Sequence, residues 1–252
     1  MTDTPARRHR RIDITRVRIF TTPLAVAAGL AVSYGLYQTI SGSIADDQVL
    51  NQDFLVARLL EHLLLSGVSF AIVAGLGVPL GVVIAGAGRT VRIPVFLLAN
   101  LGQAVPGIGI LVLLYAFLGL GQEPTIIALV AYGALPVLRN TVAGIQGVDP
   151  AAVEAARGMG MTRWQALHRV QLPLASPLIF AGLRTALVLI IGTATLGSFI
   201  GGGGLGVVIA SGINISNRII FVGAVMVATL ALLADWAFSL VERITVPRQI
   251  SV

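Results

Sequence analysis

The chain has 252 residues, of which 56% are hydrophobic and only 11% are charged. Soluble domains carry about 25% charged residues, so this composition excludes a soluble globular protein and indicates a membrane protein. Cysteine is absent and all 17 basic residues are arginines, which excludes thiolate chemistry and a Walker-type phosphate-binding loop, since that loop requires a lysine.

Six apolar windows in the sequence are long enough to cross a bilayer, which takes roughly 20 mostly apolar residues. They lie near residues 20–40, 63–87, 94–120, 124–144, 174–200 and 219–241. The sequence therefore predicts an all-α membrane protein with about six transmembrane helices. No small-residue cleavage site follows the first window, so we interpret it as a retained helix rather than a signal peptide.

The arginines are distributed unevenly between these windows. They concentrate before the first window, after the second, after the fourth and at the end of the chain, and only Arg58 and Arg218 are left for the opposite side. Because cytoplasmic loops carry the excess of basic residues, both termini are predicted to be cytoplasmic. The net charge of +6 reflects this topology and does not indicate a nucleic-acid partner.

The third window is interrupted by Gln103, Pro106, Gly107 and Gly109. A proline this deep in a span removes one backbone hydrogen bond and is expected to kink the helix. The freed carbonyl then needs a partner on a neighbouring helix or water in a cavity.

The stretch after the fourth window, residues 146–172, is too polar for the bilayer and is predicted to form two short helices and a turn. Asp149 followed by Pro150 is a typical helix start, because the carboxylate accepts an orphan N–H and proline has none to satisfy. Gly158 and Gly160 are expected to end this first helix.

The second short helix is predicted to begin with a capping box formed by Thr162 and Gln165. Pro173 is then expected to turn the chain into the fifth span. Further along, the glycine run 201–204 permits a hinge or a close backbone contact, and a simple turn is an equal alternative.

One pattern in this polar stretch has a fixed spacing. It consists of Glu154-Ala155-Ala156, then Gly160, and then Leu172-Pro173. The spacing resembles the EAA motif, the cytoplasmic signature loop of ABC importer permeases, with Val170 where the family usually has Ile. Glu-Ala-Ala alone is a weak signal in an alanine-rich chain, but the glycine, the Leu-Pro pair and the cytoplasmic side are independent requirements.

The resemblance implies a type I ABC importer permease fold, in which a coupling helix docks into a cleft of a separate cytoplasmic ABC ATPase. Glu154 would lie beside that contact and Gly160 would shape the turn. A helix in a groove needs small residues and one or two large anchors, which the alanines here and Met159 or Trp164 supply. The residues that we expect to act in ATPase coupling are Glu154, Ala155, Ala156, Gly160, Trp164, Leu172 and Pro173.

The same resemblance predicts a transport subunit that is not itself an enzyme. Its expected partners are the ATPase, an extracytoplasmic solute-binding protein, and either a second permease copy or a paralogous permease. It would be a multi-pass protein of the bacterial cytoplasmic (inner) membrane. On this interpretation the chain divides into an Arg-rich cytoplasmic tail, an extra N-terminal helix with an external loop, the permease domain and a second cytoplasmic tail, at residues 1–18, 19–61, 62–245 and 246–252.

Several further stretches resemble the branch of the family that transports osmoprotectants such as glycine betaine, choline and carnitine. They are residues 103–107, 134–141, 158–161, 181–186 and 191–195. Permeases for amino acids or oxyanions share the signature loop and are therefore the alternative within the class. Outside it, the alternatives are an ion-driven carrier and a membrane scaffold.

Polar side chains inside spans cost free energy unless they face partners or water, so they indicate where a solute could pass. The candidates are Gln103, Pro106, Asn140, Thr193, Thr195 and Ser198, with Asn100 as a further polar residue. Each has a structural alternative, because hydroxyls and amides in membrane helices also bond to their own helix or a neighbour. Arg184 and Asp235 are expected to form an ion pair. No metal site and no cofactor are predicted, since the histidines lack a ligand spacing.

Overall fold

The computed structural model describes residues 14–39 and 49–245, and this part of the chain is helical throughout, without strands. We number its helices in chain order. They are α1 Ile14–Thr39, α2 Gln52–Gly86, α3 Arg89–Ala104, α4 Gly107–Leu118, α5 Gln122–Gln146, α6 Pro150–Gly158, α7 Arg163–Ala166, α8 Leu172–Ala194, α9 Leu205–Ile215 and α10 Asn217–Thr245. The predicted tail at 246–252, and most of the tail at 1–18, lie outside the described residues.

The predicted count of six spans is not matched. Four stretches are long and apolar enough to cross a membrane: α2, α5, the continuous run Arg163–Ile200, and α10. The pair α3 and α4 makes a fifth if it is taken as one span. Helix α1 is 26 residues long and packs against α10, but its apolar part within the described residues, Thr21–Val32, is shorter than a span.

The expected kink in the third window is a complete break. Helices α3 and α4 meet at an angle of 100°, and Pro106 is the residue immediately before α4. Helix α5 stabilises the corner from the side: the Gln103 amide donates to the Tyr132 carbonyl oxygen at 2.7 Å, and the Tyr132 hydroxyl donates to the Val105 carbonyl oxygen. The freed backbone is thus satisfied by a neighbouring helix, as the sequence predicted, but the angle is far larger than that of a kinked span.

Helix α5 is the centre of the bundle, and small residues allow its neighbours to approach it closely. A Cβ atom at Gly81 of α2 would lie 2.7 Å from Cβ of Thr141, and one at Gly182 of α8 would lie 2.6 Å from Cβ of Asn140. Close approach at small residues is how membrane helices associate without a hydrophobic driving force. The largest apolar cluster between α2, α5 and α8 consists of Leu65, Val73, Leu129, Val137, Ala186, Ile190 and Ala194.

Pro173 does not turn the chain, contrary to the prediction. Helix α7 continues through a π-helical turn, Leu167–Gln171, directly into α8, and the whole run is a single helix of 38 residues, Arg163–Ile200, with a 3₁₀ turn at its end. The N–H of Leu172 donates to the Leu167 carbonyl oxygen. A π turn widens the helix by one residue, which accommodates the proline ring and its missing N–H without a bend.

At the end of the bundle opposite residues 146–172, the glycine run 201–204 makes the close backbone contact that was one of its predicted roles. Three of its glycines have positive φ angles. The N–H of Gly204 donates to Oε2 of Glu61 at 2.9 Å, and the N–H of Leu205 donates to Nδ1 of His62 at 3.3 Å. His62 is fully buried, so this end of α2 is fixed to the loop by side chains from consecutive residues.

Candidate coupling loop and passage residues

Residues 146–172 form two helices and a turn, as predicted. Asp149 Oδ1 accepts the N–H of Ala151 at 2.9 Å, and Pro150 occupies the first turn of the nine-residue helix α6. Gly160 follows this helix with a φ of +85°. L-residues with a side chain rarely adopt this backbone conformation, so glycine is required at the turn for a local steric reason.

Helix α7 begins with the predicted capping box. The N–H of Gln165 donates to the Thr162 hydroxyl at 3.3 Å, and the N–H of Thr162 donates to the Gln165 amide oxygen at 2.8 Å. The rings of Trp164 and His168 stack with their centroids 3.9 Å apart. The indole is therefore held in place on the surface of α7.

Two large apolar side chains of this loop are exposed, namely Met159 at 72% and Trp164 at 68%. In a loop too polar for lipid, such side chains mark a surface that a protein partner covers. Glu154 and Ala155 are exposed beside them, whereas Ala156 is buried and faces the rest of the loop. The sequence placed all of these residues in one coupling surface, and the fold brings them to one helix-turn-helix.

This surface is joined to the membrane part of the chain without a flexible hinge. Leu172 and Pro173, at the end of the signature spacing, are half-buried in the continuous helix that leads from α7 into α8. Any displacement of the loop by a partner therefore acts directly on α8.

The passage candidates lie in two groups. Near the corner between α3 and α4, Gln103 and Pro106 face α5, and a Cβ atom at Gly107 would lie 2.9 Å from the Leu196 side chain. Leu196 belongs to the 3₁₀ turn Thr195–Ile200, so this corner meets the turn. Thr193, Thr195 and Ser198 come from that turn and the residues just before it.

The hydrogen bonds of the polar candidates are mostly local. Thr195 donates to the Gly192 carbonyl oxygen at 2.7 Å and Ser198 to the Thr195 carbonyl oxygen at 2.9 Å. The Asn140 amide donates to the Pro136 carbonyl oxygen, in its own helix, at 2.8 Å, and Asn140 lies apart from the corner, against Gly182. Only Gln103 bonds to another helix, so the structural alternative accounts for most of these contacts.

Two charged contacts lie inside the bundle. The predicted pair of Arg184 and Asp235 is confirmed: the guanidinium donates to both carboxylate oxygens, one of them at 2.5 Å. The second contact was missed, because Arg139 was grouped with the loop arginines. It lies within α5, and its Nη2 donates to Oδ1 of Asn100 on α3 at 2.5 Å. The Asn100 side chain, a passage candidate only by its polarity, was the available signal.

Within residues 14–39 and 49–245 there is no group of three or more His, Asp or Glu side chains that could hold a metal ion. The histidine at position 62 is instead used to fix the glycine loop.

Curated proteins with a similar sequence are permeases. The carnitine transport permease protein OpuCD of Listeria monocytogenes is 40% identical over 197 residues, which cover 77% of this chain and 87% of that protein. The glycine betaine/carnitine/choline transport system permease protein OpuCB of Bacillus subtilis is 41% identical over 193 residues, covering 75% of this chain and 87% of that protein.

Solved structures share the fold at lower identity. Two structures of inward-facing conformations of the MetNI methionine ABC transporter match with TM-scores of 0.67 and 0.68 at 22% and 24% identity, and each match covers 77% of this chain and 96% of the other. Residues 77–245 match the family model described as binding-protein-dependent transport system inner membrane component. The chain therefore belongs to this family of inner-membrane permease components of ABC importers.

Proposed function

We propose that this permease imports an osmoprotectant of the glycine betaine, choline and carnitine class, using ATP hydrolysed on a separate cytoplasmic subunit. The observation that carries the solute class is the identity of about 40% to permeases named for carnitine, choline and glycine betaine. The structural neighbours named for methionine, at 22% and 24% identity, share the fold but argue for no solute.

The exposed surface of α6 and α7 is the proposed contact with the ATPase. Met159 and Trp164 supply apolar anchors of the kind that dominate helix-in-groove contacts. Glu154 lies on the same exposed surface, and its carboxylate is available to a basic group of the partner. The continuous helix from α7 into α8 supports the proposal, because it offers a stiff connection between that contact and the membrane.

The complete transporter would contain two permease chains, either two copies of this one or this one and a paralogous subunit. Each chain presents one coupling surface and one set of spans, so two are needed to enclose a passage symmetrically. A binding protein would deliver the solute on the external side. Both termini would be cytoplasmic, which follows from the arginine distribution.

The proposed mechanism is alternating access. ATP binding closes the ATPase pair, the two coupling surfaces move together, and the passage opens towards the loaded binding protein. Hydrolysis and separation of the ATPases return the passage to the inward-open state. The chain's own part is mechanical: it transmits the displacement of α6 and α7 to the spans.

The test is uptake into proteoliposomes that contain this chain with its ATPase and any partner permease, with the binding protein added outside. We expect ATP-dependent accumulation of labelled glycine betaine. ATP turnover stimulated by the binding protein without accumulation of glycine betaine, choline or carnitine would refute the solute class and favour an amino-acid or oxyanion importer. A chain that fails to copurify with the ATPase would refute the coupling role.

A further inference from the structure

Two arginines, Arg139 and Arg184, lie well inside the apolar spans, and they differ in how their charge is met. Arg184 is paired with Asp235 through two hydrogen bonds. Arg139 has no ion pair with a carboxylate in the described part of the chain, and its one hydrogen bond there is to the neutral amide of Asn100. A charged residue inside a membrane is retained where it faces a partner or water, so Arg139 requires an explanation.

The guanidinium of Arg139 is held in a defined position. Asn100 Nδ2 donates to the Phe96 carbonyl oxygen at 2.6 Å, which fixes the amide with its oxygen towards α5. That oxygen accepts from Nη2 of Arg139 at 2.5 Å. One donor of the guanidinium is thus used for positioning, and the Arg139 side chain as a whole is exposed. Its other N–H groups are available to a ligand.

The position of Arg139 is not the mouth of the bundle. The next residue, Asn140, packs against Gly182 of α8, and Gly182 is two residues from Arg184. Arg139 therefore lies at about the depth of the Arg184–Asp235 pair. Its surroundings are the seam between α3 and α5, where Gln103 also reaches across to Tyr132. A polar seam with an exposed cation at this depth fits an aqueous passage and not a lipid-facing surface.

We propose that Arg139 lines the passage and binds the carboxylate of a zwitterionic solute. Guanidinium and carboxylate groups match in a planar, two-hydrogen-bond geometry. Glycine betaine and carnitine carry a carboxylate in addition to the quaternary ammonium group, whereas choline carries only the ammonium group and a hydroxyl. Arg139 attracts the first kind of solute and repels the second, so it sets the preference between them. This inference rests on the proposed osmoprotectant function.

The first experiment compares uptake of glycine betaine and choline by the reconstituted transporter carrying Arg139→Gln. A hydrogen-bonded charge contact is typically worth about a tenfold change or more, so we expect the ratio of glycine betaine to choline uptake to fall by about that factor, with choline uptake unchanged or raised. The matched control is Arg92→Gln, which removes an arginine from the start of α3, and it should leave the ratio unchanged. An equal loss for both solutes, or no change for either, would overturn the proposal.

The second experiment uses the absence of cysteine from the chain. Arg139→Cys introduces a single thiol, which water-soluble methanethiosulfonates convert to a mixed disulfide with release of methanesulfinate. A reagent with an ammonium group restores a cation and should restore glycine betaine uptake, whereas a sulfonate-bearing reagent should not. The parent chain treated in the same way is the control. A thiol that does not react would overturn the assignment to the passage.

The two proposals fail differently. If the unmodified transporter carries neither glycine betaine nor choline, the osmoprotectant function fails and the carboxylate-binding role fails with it, while reaction of the Arg139→Cys thiol still decides whether the position faces water. If the unmodified transporter carries glycine betaine but the ammonium reagent gives no rescue, the function stands and the role of Arg139 is refuted.

Discussion

The ion pair of Arg184 and Asp235 joins the middle of α8 to α10, and removing one partner should destabilise the protein strongly. The two side chains are only 21% and 19% exposed, so solvent screening is weak. Breaking a buried pair by removing one partner typically costs about 3–5 kcal/mol, because the other charge is left uncompensated. We therefore expect Asp235→Asn to lower the free energy of unfolding by about 3 kcal/mol, which corresponds to a Tm lower by roughly 6–12 °C for a chain of this size.

The assay is thermal unfolding of the purified chain in detergent, read together with the amount of protein that inserts into the membrane. The double exchange Arg184→Asp with Asp235→Arg restores opposite charges at the same positions, so it should recover most of the loss. The apolar pair Arg184→Met with Asp235→Leu should be nearly neutral, since the desolvation cost of both charges disappears. If Asp235→Asn unfolds at the same temperature as the parent, or if the exchanged pair is as unstable as the two single variants together, the pair does not stabilise the bundle as argued.

Three further predictions concern the glycines and the coupling surface. Gly160→Ala forces a side chain into a left-handed conformation at a cost of about 1–2 kcal/mol; it should lower uptake relative to ATP turnover, whereas Gly158→Ala, with open space around it, should not. Trp164→Ala should weaken copurification with the ATPase without changing Tm. Gly206→Ala would place Cβ 1.9 Å from the Thr195 carbonyl oxygen and should lower Tm, while Gly192→Ala, which meets nothing within 4 Å, should not; equal effects at both positions would contradict the steric argument.

The local features of the coupling loop could be predicted from the sequence because each depends on a few neighbouring residues. The Asp149 cap and the capping box at Thr162 involve contacts two or three residues apart, and side-chain caps of this kind have well-defined sequence preferences. The pairing of Arg184 with Asp235 was predictable for a different reason. Two opposite charges inside apolar spans have few other ways to be satisfied.

The features that sequence reasoning missed depend on distant contacts. The 100° corner at Pro106 is stabilised by Tyr132 of α5, and nothing near the proline specifies that angle. The roles of Glu61 and His62 arise from backbone groups 143 residues further along the chain. The continuity through Pro173 required a π turn, which has no reliable sequence signal, so a local proline rule gave the wrong result there.

The helix Arg163–Ile200 links the two ends of the proposed mechanism in one rigid element. One end carries Trp164 on the coupling surface, and the other ends in the 3₁₀ turn whose Leu196 lies against the corner at Gly107. A helix held by consecutive backbone hydrogen bonds transmits a displacement along its axis with little loss, whereas the π turn and the 3₁₀ turn are the points along it where the backbone can adjust. A partner that moves α7 therefore has a direct mechanical route to the corner of α3 and α4, and through α3 to the seam that carries Asn100 and Arg139.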